Sequence, residues 1–275
     1  MRGFALANGF AERHVFMPYI LHHYERSNFS EKARLLLAVK GLSWRSVEVP
    51  STAPKPDFTP LTGGHRRTPA LQIGADIYCD TRLIAEVLEA RHPSPSLFPG
   101  TEPTRTKALG DALSEWAKHQ LLWPIALYIT GLHADDDPAD FHADRARLHG
   151  KPVPALDRVK RAAPRNLAQA LPQIARVAAM LPDDSAFLFG EEASLADLSL
   201  YHPLWFLDRI GGSSPWLDAE TGLRDWMKRI DALHERSLGE RTDITAAEAL
   251  DTAASSEPED LGESPSSYAA PEGVQ

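Results

Sequence analysis

The stretch YILHHYERSNFSEKARLLLAVKGLSWRSVEV, residues 19–49, decides the fold of the first part of the chain. It opens with a short β-type run at Tyr19–Tyr24. Asn28 is followed by a glutamate three residues later, which is the spacing of a helix capping box. The apolar side chains of the next turns recur on one helical face until Gly41 ends the pattern. Ser43–Val49 then alternates as a strand does. A strand, a crossover helix and a second strand predict a parallel β-α-β unit.

The next stretch completes a small α/β domain. Prolines and a Gly-Gly pair indicate a loop over residues 50–67. The sequence then predicts a hairpin, with strands at Ala70–Ile73 and Ile77–Cys79, and a helix at Thr81–Ala90. The order β-α-β, loop, β-β-α is that of the thioredoxin-like fold, which we expect over residues 17–93.

A different pattern follows a Pro-rich linker at residues 94–104. Residues 105–250 show no strand pattern and carry amphipathic segments, which predict an all-α bundle. These segments are Thr106–Leu132 (bent at Pro124), Val153–Leu181, Leu195–Leu207 and Leu217–Leu238. Residues 1–16 are expected to be a loosely ordered leader. Residues 251–275 are expected to be a disordered acidic tail, because so polar a segment buries little apolar surface.

Charge and cysteine content argue against several classes of protein. The net charge of −9 argues against nucleic-acid binding, which requires an excess of Lys and Arg. No apolar run is long enough to span a bilayer. The single cysteine, Cys79, cannot form an intramolecular disulfide and is typical of a reducing compartment. We expect it to be a buried core thiol. The 11 histidines form no metal-binding motif, so no metal is expected.

Three motifs resemble those of the glutathione S-transferase superfamily. ERSNFSEKARLLLAVKGLSWRSVEV is similar to the first strand–helix–strand of that superfamily, RRTPALQIGADIYCDTRLIAEVLE to its Pro-loop, hairpin and acidic-hydroxyl motif, and FLFGEEASLADLSLY to a capping box in its helical domain. They occur in the expected order between Met17 and Leu238. The resemblance implies a thioredoxin-like glutathione-binding domain followed by an all-helical domain. It also implies a cytoplasmic homodimer that transfers glutathione's thiol to a small electrophile, as in detoxification.

The resemblance places Ser27, just before the first helix, where the superfamily has its thiol-activating residue. A free thiol has a pKa of about 8.5. The positive end of a helix, together with a hydroxyl donor, would stabilise the thiolate. Ser30 is the second candidate hydroxyl, and Ser27 or Asn28 could instead serve only as the helix cap. Serines stand at both positions of a possible redox pair, which excludes dithiol reduction.

The resemblance also implies the other contacts to glutathione. Thr68 would pair with the cysteinyl backbone beside a cis bond to Pro69. Thr81 would bind the γ-glutamyl carboxylate and Asp80 the ammonium, and either could also be a plain helix cap. The remaining expected glutathione-binding residues are Asn28, Phe29 and Arg67, the last toward a carboxylate.

For the second substrate, we expect an apolar wall on the first long helix, formed by Trp116, Trp123 and Tyr128. The alternative is that these aromatic side chains belong to the core. Ser194 and Asp197 have capping-box spacing, which predicts a structural role.

Two alternatives to transfer stay open. Isomerisation or dehalogenation would use the same thiolate. A catalytically inactive binding or scaffold module is favoured by two departures from the superfamily pattern. Asn28 stands where a proline is common, and Thr81 stands where serine is more common after the acidic residue.

Overall fold

The N-terminal domain is built on a mixed five-stranded sheet. The computed structural model describes residues 17–138, 140–212 and 214–260. The strands are Tyr19–His23 (β1), Trp44–Glu48 (β2), Ala70–Ile73 (β3), Asp76–Cys79 (β4) and Arg241–Asp243 (β5). They lie in the order β4-β3-β1-β2-β5. β1 and β2 are parallel, β3 is antiparallel to β1, and β3 and β4 form a hairpin. The predicted β-α-β unit and hairpin are therefore confirmed.

Helices flank the sheet and form the C-terminal domain. Those of the described residues are Asn28–Val39 (α1), Thr81–Arg91 (α2), Pro103–Trp116 (α3), Trp123–Leu132 (α4), Phe141–Leu148 (α5), Leu156–Met180 (α6), Leu195–Arg209 (α7), Pro215–Asp218 (α8), Leu223–Arg236 (α9) and Ala246–Ala254 (α10). A π-helical segment, Ala117–Leu122, joins α3 to α4 just before Pro124, where a bend was predicted. The sequence did not predict α5, and the helix predicted at Leu217–Leu238 is divided into α8 and α9.

Helix α1 lies between the two domains. Leu35, Leu36 and Leu37 are consecutive, and all three are fully buried. Successive residues of a helix point about 100° apart, so burial of three in a row means that α1 is covered on several sides. It contacts α2, α7 and α9. The first turn of α1 is therefore held where the domains meet.

The N-cap of α1 is Ser27. Its Oγ accepts a hydrogen bond from the Ser30 N–H at 3.1 Å. The predicted capping box from Asn28 to Glu31 is wrong. The Glu31 carboxylate instead accepts a hydrogen bond from the Arg34 guanidinium at 2.7 Å.

In the helical domain, the predicted capping box of Ser194 and Asp197 is confirmed. The Asp197 carboxylate is buried and also accepts hydrogen bonds from the Trp226 indole N–H and the Leu188 N–H, both at 3.0 Å. It thus ties α7 to α9 and to the preceding loop. No helix of the described residues is both long and apolar enough to cross a membrane.

After α9 the chain returns to the first domain. β5 extends the sheet by pairing parallel to β2. α10 then covers the sheet, with Ala249 packed against Ile20 and Val47. The prediction that residues 105–250 are all-helical is therefore wrong at Arg241–Asp243. This strand has three residues, all exposed, and so carries no alternating pattern that a sequence could show.

The prediction of a disordered tail is wrong for residues 251–260. Helix α10 continues to Ala254, and beyond it Glu259 forms an ion pair with Arg91 of α2. The rest of that predicted tail, residues 261–275, and the predicted leader, residues 1–16, lie outside the described residues.

Candidate active site at the start of helix α1

Ser27 presents a hydroxyl at the positive end of α1. Its side chain is buried at the end of the turn that follows β1, where its N–H donates to the Tyr24 carbonyl at 3.2 Å. Its Oγ accepts one hydrogen bond, from the Ser30 N–H. Among the described residues the Ser27 hydroxyl proton has no acceptor, so it is free to be donated to a ligand.

Ser30 lies one turn further into the helix and has no exposed surface. Its Oγ has no hydrogen-bond partner among the described residues. A ligand atom at the surface could reach the hydroxyl of Ser30 only if the helix moved. The geometry therefore favours Ser27 over Ser30 as the donor.

Of the two residues between the serines, Phe29 contacts the helical domain. The Phe29 ring packs against the His202 ring of α7, with centroids 5.3 Å apart. The Asn28 Oδ1 is buried and has no partner in the described part of the chain. Buried amide oxygens are normally hydrogen-bonded, so this atom is available to a ligand or a water molecule.

Thr68 and Pro69 lead directly into β3. The bond between them is cis, as predicted. Pro69 is buried and Thr68 is half-buried. Arg67, expected to bind a carboxylate, is exposed. It is close enough to His149 that its charge, after burial, contributes to lowering the pKa of His149.

Asp80 is the N-cap of α2, and its Oδ1 accepts a hydrogen bond from the Arg82 N–H at 2.8 Å. Its φ of 82° lies in the left-handed region, which is uncommon for residues other than glycine. Such conformations are concentrated at ligand sites. Asp80 is exposed, and Thr81 is buried at the first position of the helix.

Lys55 is a residue of this region that the sequence did not reveal. It lies in the loop that ends at Thr68 and is 5% exposed. Its Nζ is 6.0 Å from the Tyr24 ring centroid and 5.6 Å from that of Phe58. It has no ion pair among the described residues. Burial, assisted by nearby arginines, lowers the pKa of Lys55 to about 8. An unpaired cation of this kind can receive a carboxylate.

The loop that carries Lys55 is attached to the helical domain through Asp144 of α5. The Asp144 carboxylate accepts hydrogen bonds from the Ala53 N–H at 3.2 Å and from the guanidiniums of Arg66 at 2.5 Å and Arg145 at 3.1 Å. Burial raises the pKa of Asp144, but the bonds and charges of these donors outweigh it, so the pKa is lowered. These contacts of Asp144 hold the loop against α5, and no sequence pattern indicated them.

The three predicted wall residues do not surround one cavity. Trp116 lies under the guanidinium of Arg176, and Tyr128 packs edge-on against Trp216. Trp123 lines a cavity of about 630 Å³ between α4 and α6. None of the predicted glutathione-binding residues lines this cavity.

Cys79 and a small cluster at the ends of β1 and β2 are the other groups that could take part in thiol or metal chemistry. Cys79 is half-buried rather than fully buried, and burial raises the pKa of its thiol, which disfavours a reactive thiolate. His23, Glu25 and Glu48 bring three potential metal ligands together. However, both ring nitrogens of His23 already have partners at 3.0 Å, Arg34 and Ser46. The donor set does not favour a metal.

Two family models match the chain. That for "Glutathione S-transferase, N-terminal domain" matches residues 21–96, and that for "Glutathione S-transferase, C-terminal domain" matches residues 154–229. No match was found among curated protein sequences.

Solved structures provide further likenesses. A GST-like protein from Pseudomonas syringae is 33% identical, with a TM-score of 0.62, over 94% of this chain and 81% of that one. A theta class glutathione S-transferase from Xanthomonas axonopodis pv. citri, solved with glutathione bound, is 19% identical, with a TM-score of 0.59, over 81% and 97%. The beta-etherase LigF from Sphingobium sp. strain SYK-6 is 21% identical, with a TM-score of 0.58, over 80% and 100%. The last two likenesses extend to the fold alone.

Proposed function

Because this chain belongs to the glutathione S-transferase family, we propose that it binds glutathione, activates the thiol through Ser27 and transfers it to a small electrophile. The observation that carries this proposal is the Ser27 hydroxyl, which caps α1 while its own proton has no acceptor among the described residues. A hydroxyl donor and the positive end of a helix both stabilise a sulfur anion more than a neutral thiol. They therefore lower the pKa of the bound thiol toward neutrality.

In the transfer step the glutathione thiol first loses its proton to solvent. The thiolate sulfur then forms a bond to the electrophilic carbon, and the leaving group departs with the electron pair of the bond that breaks. Ser27 would hold the sulfur by donating its proton in a hydrogen bond, with no covalent bond to the enzyme. The helix and the hydroxyl are fixed before the substrate arrives, so little reorganisation is needed.

The rest of glutathione would extend along the N-terminal domain. Thr68 would pair with the cysteinyl backbone just before β3. Asp80 and Thr81 would hold the γ-glutamyl end at the start of α2. Lys55, a buried lysine without an ion pair among the described residues, would receive the glycyl carboxylate. The exposed Arg67 is the second candidate for that carboxylate.

Transfer to an electrophile is the leading reaction, and isomerisation or dehalogenation would use the same thiolate. We also infer a cytoplasmic homodimer with a role in detoxification. Two exposed leucines, Leu83 of α2 and Leu109 of α3, supply apolar surface that a second copy could cover. Sedimentation of the purified chain tests this point, and a monomer at micromolar concentration contradicts it.

The activity is tested by retention on immobilised glutathione, followed by conjugation of an aryl halide. Ser27→Ala is expected to lower kcat/KM about 100-fold or more, as removal of one preorganised donor does in other enzymes. It also removes a helix cap, so Thr245→Ala, which removes the cap of the distant helix α10, is the matched control. The control is expected to keep full activity.

Ser30→Ala tests whether Ser30 rather than Ser27 activates the thiol, and it is expected to change kcat/KM less than threefold. Turnover that survives Ser27→Ala would remove Ser27 from its proposed role. Retention on glutathione without turnover of any electrophile would favour the inactive scaffold.

A further inference from the structure

A second cavity, of about 680 Å³, runs along the face of α1 that carries Glu31, Arg34 and Ala38. β2, α7, α9 and the segment that leads from α9 to β5 supply its other walls. Sites for small ligands have volumes of about 300–1,000 Å³, so this cleft is large enough to hold one. None of the side chains proposed above to contact glutathione or its electrophile lines the cleft. It is therefore a cavity that the proposed function does not use.

Two indole–guanidinium pairs contribute flat surfaces to the cleft. The Arg34 guanidinium lies over the Trp205 ring, 5.9 Å from its centroid. The Arg241 guanidinium lies over the Trp44 ring at 5.4 Å. The Glu25 carboxylate joins the two pairs, 2.7 Å from Arg241 and 3.5 Å from Arg34. Both indoles are half-buried and therefore held in place. An indole fixed in this way offers a flat apolar surface to an aromatic ring.

Arg209 supplies a cation beside one of these indoles. It follows Trp205 by four residues in α7, and side chains at that spacing are neighbours on a helix. Its nearest carboxylate among the described residues, that of Asp231, is 3.8 Å away, which is too long for a hydrogen bond. Asp231 instead accepts a hydrogen bond from the Tyr201 hydroxyl. The Arg209 side chain is 59% exposed, so its guanidinium keeps its donors for another partner.

The charges that line the cleft favour an anionic ligand. Its lining contains four arginines and three carboxylates, although the whole chain has a net charge of −9. The arginines are Arg26, Arg34, Arg209 and Arg241, and the carboxylates are those of Glu25, Glu31 and Asp231. Each carboxylate already has a partner in a neighbouring side chain, and His234, which also lines the cleft, lies 2.8 Å from that of Glu31. Arg26 has no ion pair or hydrogen bond among the described residues. A positive cleft in an acidic chain attracts anions.

We propose that this cleft binds a planar aromatic carboxylate, with its ring against Trp205 and its carboxylate on Arg209. A guanidinium holds a carboxylate through two parallel hydrogen bonds, and its plane also stacks on aromatic rings. A ligand with a flat ring and a carboxylate therefore matches two neighbouring side chains of α7 at once. The segment that returns to the sheet completes the site, because Arg241 of β5 lies over the Trp44 ring.

The test uses 2-naphthoate, which carries a carboxylate on a pair of fused flat rings. Its binding at pH 7 is followed by calorimetry and by quenching of tryptophan fluorescence. 2-Naphthamide keeps the rings without the charge, and cyclohexanecarboxylate keeps the charge without a flat ring. We expect the wild type to bind 2-naphthoate at least about tenfold more tightly than either compound, since each lacks one of the two proposed contacts.

Arg209→Gln removes the proposed partner of the carboxylate. It should weaken 2-naphthoate binding at least about fivefold and change 2-naphthamide binding less than about twofold. Arg165→Gln is the matched control, since Arg165 is an exposed arginine of α6, a helix that contributes no residue to the cleft. It should alter neither affinity. Both substitutions are at exposed side chains, so both variants should melt within about 2 °C of the wild type.

Competition shows where the ligand binds. Saturating glutathione and Ser27→Ala should both leave the 2-naphthoate affinity unchanged, because Ser27 does not line the cleft. Displacement by glutathione, or loss of 2-naphthoate binding in Ser27→Ala, would overturn the proposal. Equal affinities for the three compounds, an unchanged affinity in Arg209→Gln, or no binding by the wild type would overturn it as well. Retention on immobilised glutathione is measured separately, so these outcomes leave the proposed function untouched.

Discussion

Replacement of Asp144 by asparagine should show how much the contacts between α5 and the loop at residues 50–67 contribute to the stability of the folded chain. The substitution keeps the size of the side chain and one oxygen acceptor for the Ala53 N–H. It removes the negative charge that faces Arg66 and Arg145, whose nearest atoms lie 2.5 and 3.1 Å from the carboxylate. Both arginines would then stand beside a neutral amide.

The expected loss of stability follows from the burial of the three partners. Breaking a fully buried ion pair costs about 3–5 kcal/mol. Asp144 is completely buried, but the side chains of Arg66 and Arg145 are 25% and 28% exposed, so water can reach both. We therefore expect a loss of about 2 kcal/mol. For a chain of this size that corresponds to a decrease of about 4–8 °C in Tm.

The pKa of Asp144 determines how the stability difference between wild type and Asp144→Asn changes with pH. The folded-state pKa of Asp144 is lowered, because its hydrogen bonds and the arginine charges outweigh burial. Its stabilisation is therefore fully present above the unfolded-state pKa of about 3.9 and is lost as pH falls through the folded-state value. The difference between wild type and Asp144→Asn should be constant from pH 7 to 5 and shrink below about pH 4.

Thermal melts between pH 7 and pH 3, with glutathione affinity measured at pH 7, provide the assay. Asp136→Asn is the control, since Asp136 lies in the loop before α5 and its side chain is 82% exposed. Glutathione affinity should fall for Asp144→Asn alone, because the loop with Lys55 is no longer fixed. Equal melting temperatures for the two variants would refute the reasoning, and so would a difference that persists undiminished at pH 3.

Two other predictions concern packing. Gly131→Ala should destabilise the chain by about 1–3 kcal/mol in urea unfolding, because the new Cβ would lie 2.7 Å from the Ala163 Cβ and 2.8 Å from the Val159 carbonyl oxygen. Stability within about 0.5 kcal/mol of wild type would mean that α4 and α6 separate easily. Deleting residues 239–275 should speed amide hydrogen exchange in β2, since that strand becomes an edge and the Trp44 N–H loses its bond to the Glu240 carbonyl at 2.9 Å; unchanged exchange at Trp44 and its strand neighbours would contradict the pairing with β5.

The sequence predicted the first domain well because its signals are local. The apolar face of α1, the alternation of β2 and the turn between β3 and β4 are each set within about ten residues. The fold class, thioredoxin-like with a helical C-terminal domain, is confirmed. β5 was missed because its three exposed residues are fixed by pairing with β2, almost 200 residues earlier in the chain.

The candidate site was predicted in part. Ser27 and Asp80 directly precede α1 and α2, and Thr68 lies two residues before β3. These positions follow from the predicted order of the helices and strands. The roles of these residues stay predictions. Lys55 could not be singled out, because a lysine in a sequence is normally solvated and only tertiary packing buries its side chain.

The return of the chain to the sheet has a consequence for synthesis. The ribosome releases β1 and β2 early, but the strand that covers their edge emerges about 190 residues later. At about 5–20 residues per second, the edge of β2 stays uncovered for roughly 10–40 s. During that interval the helical domain is synthesised between the first four strands of the sheet and the fifth. Residues 241–254 therefore make the first domain discontinuous, and a strand synthesised after the helical domain extends the sheet that β1 and β2 began.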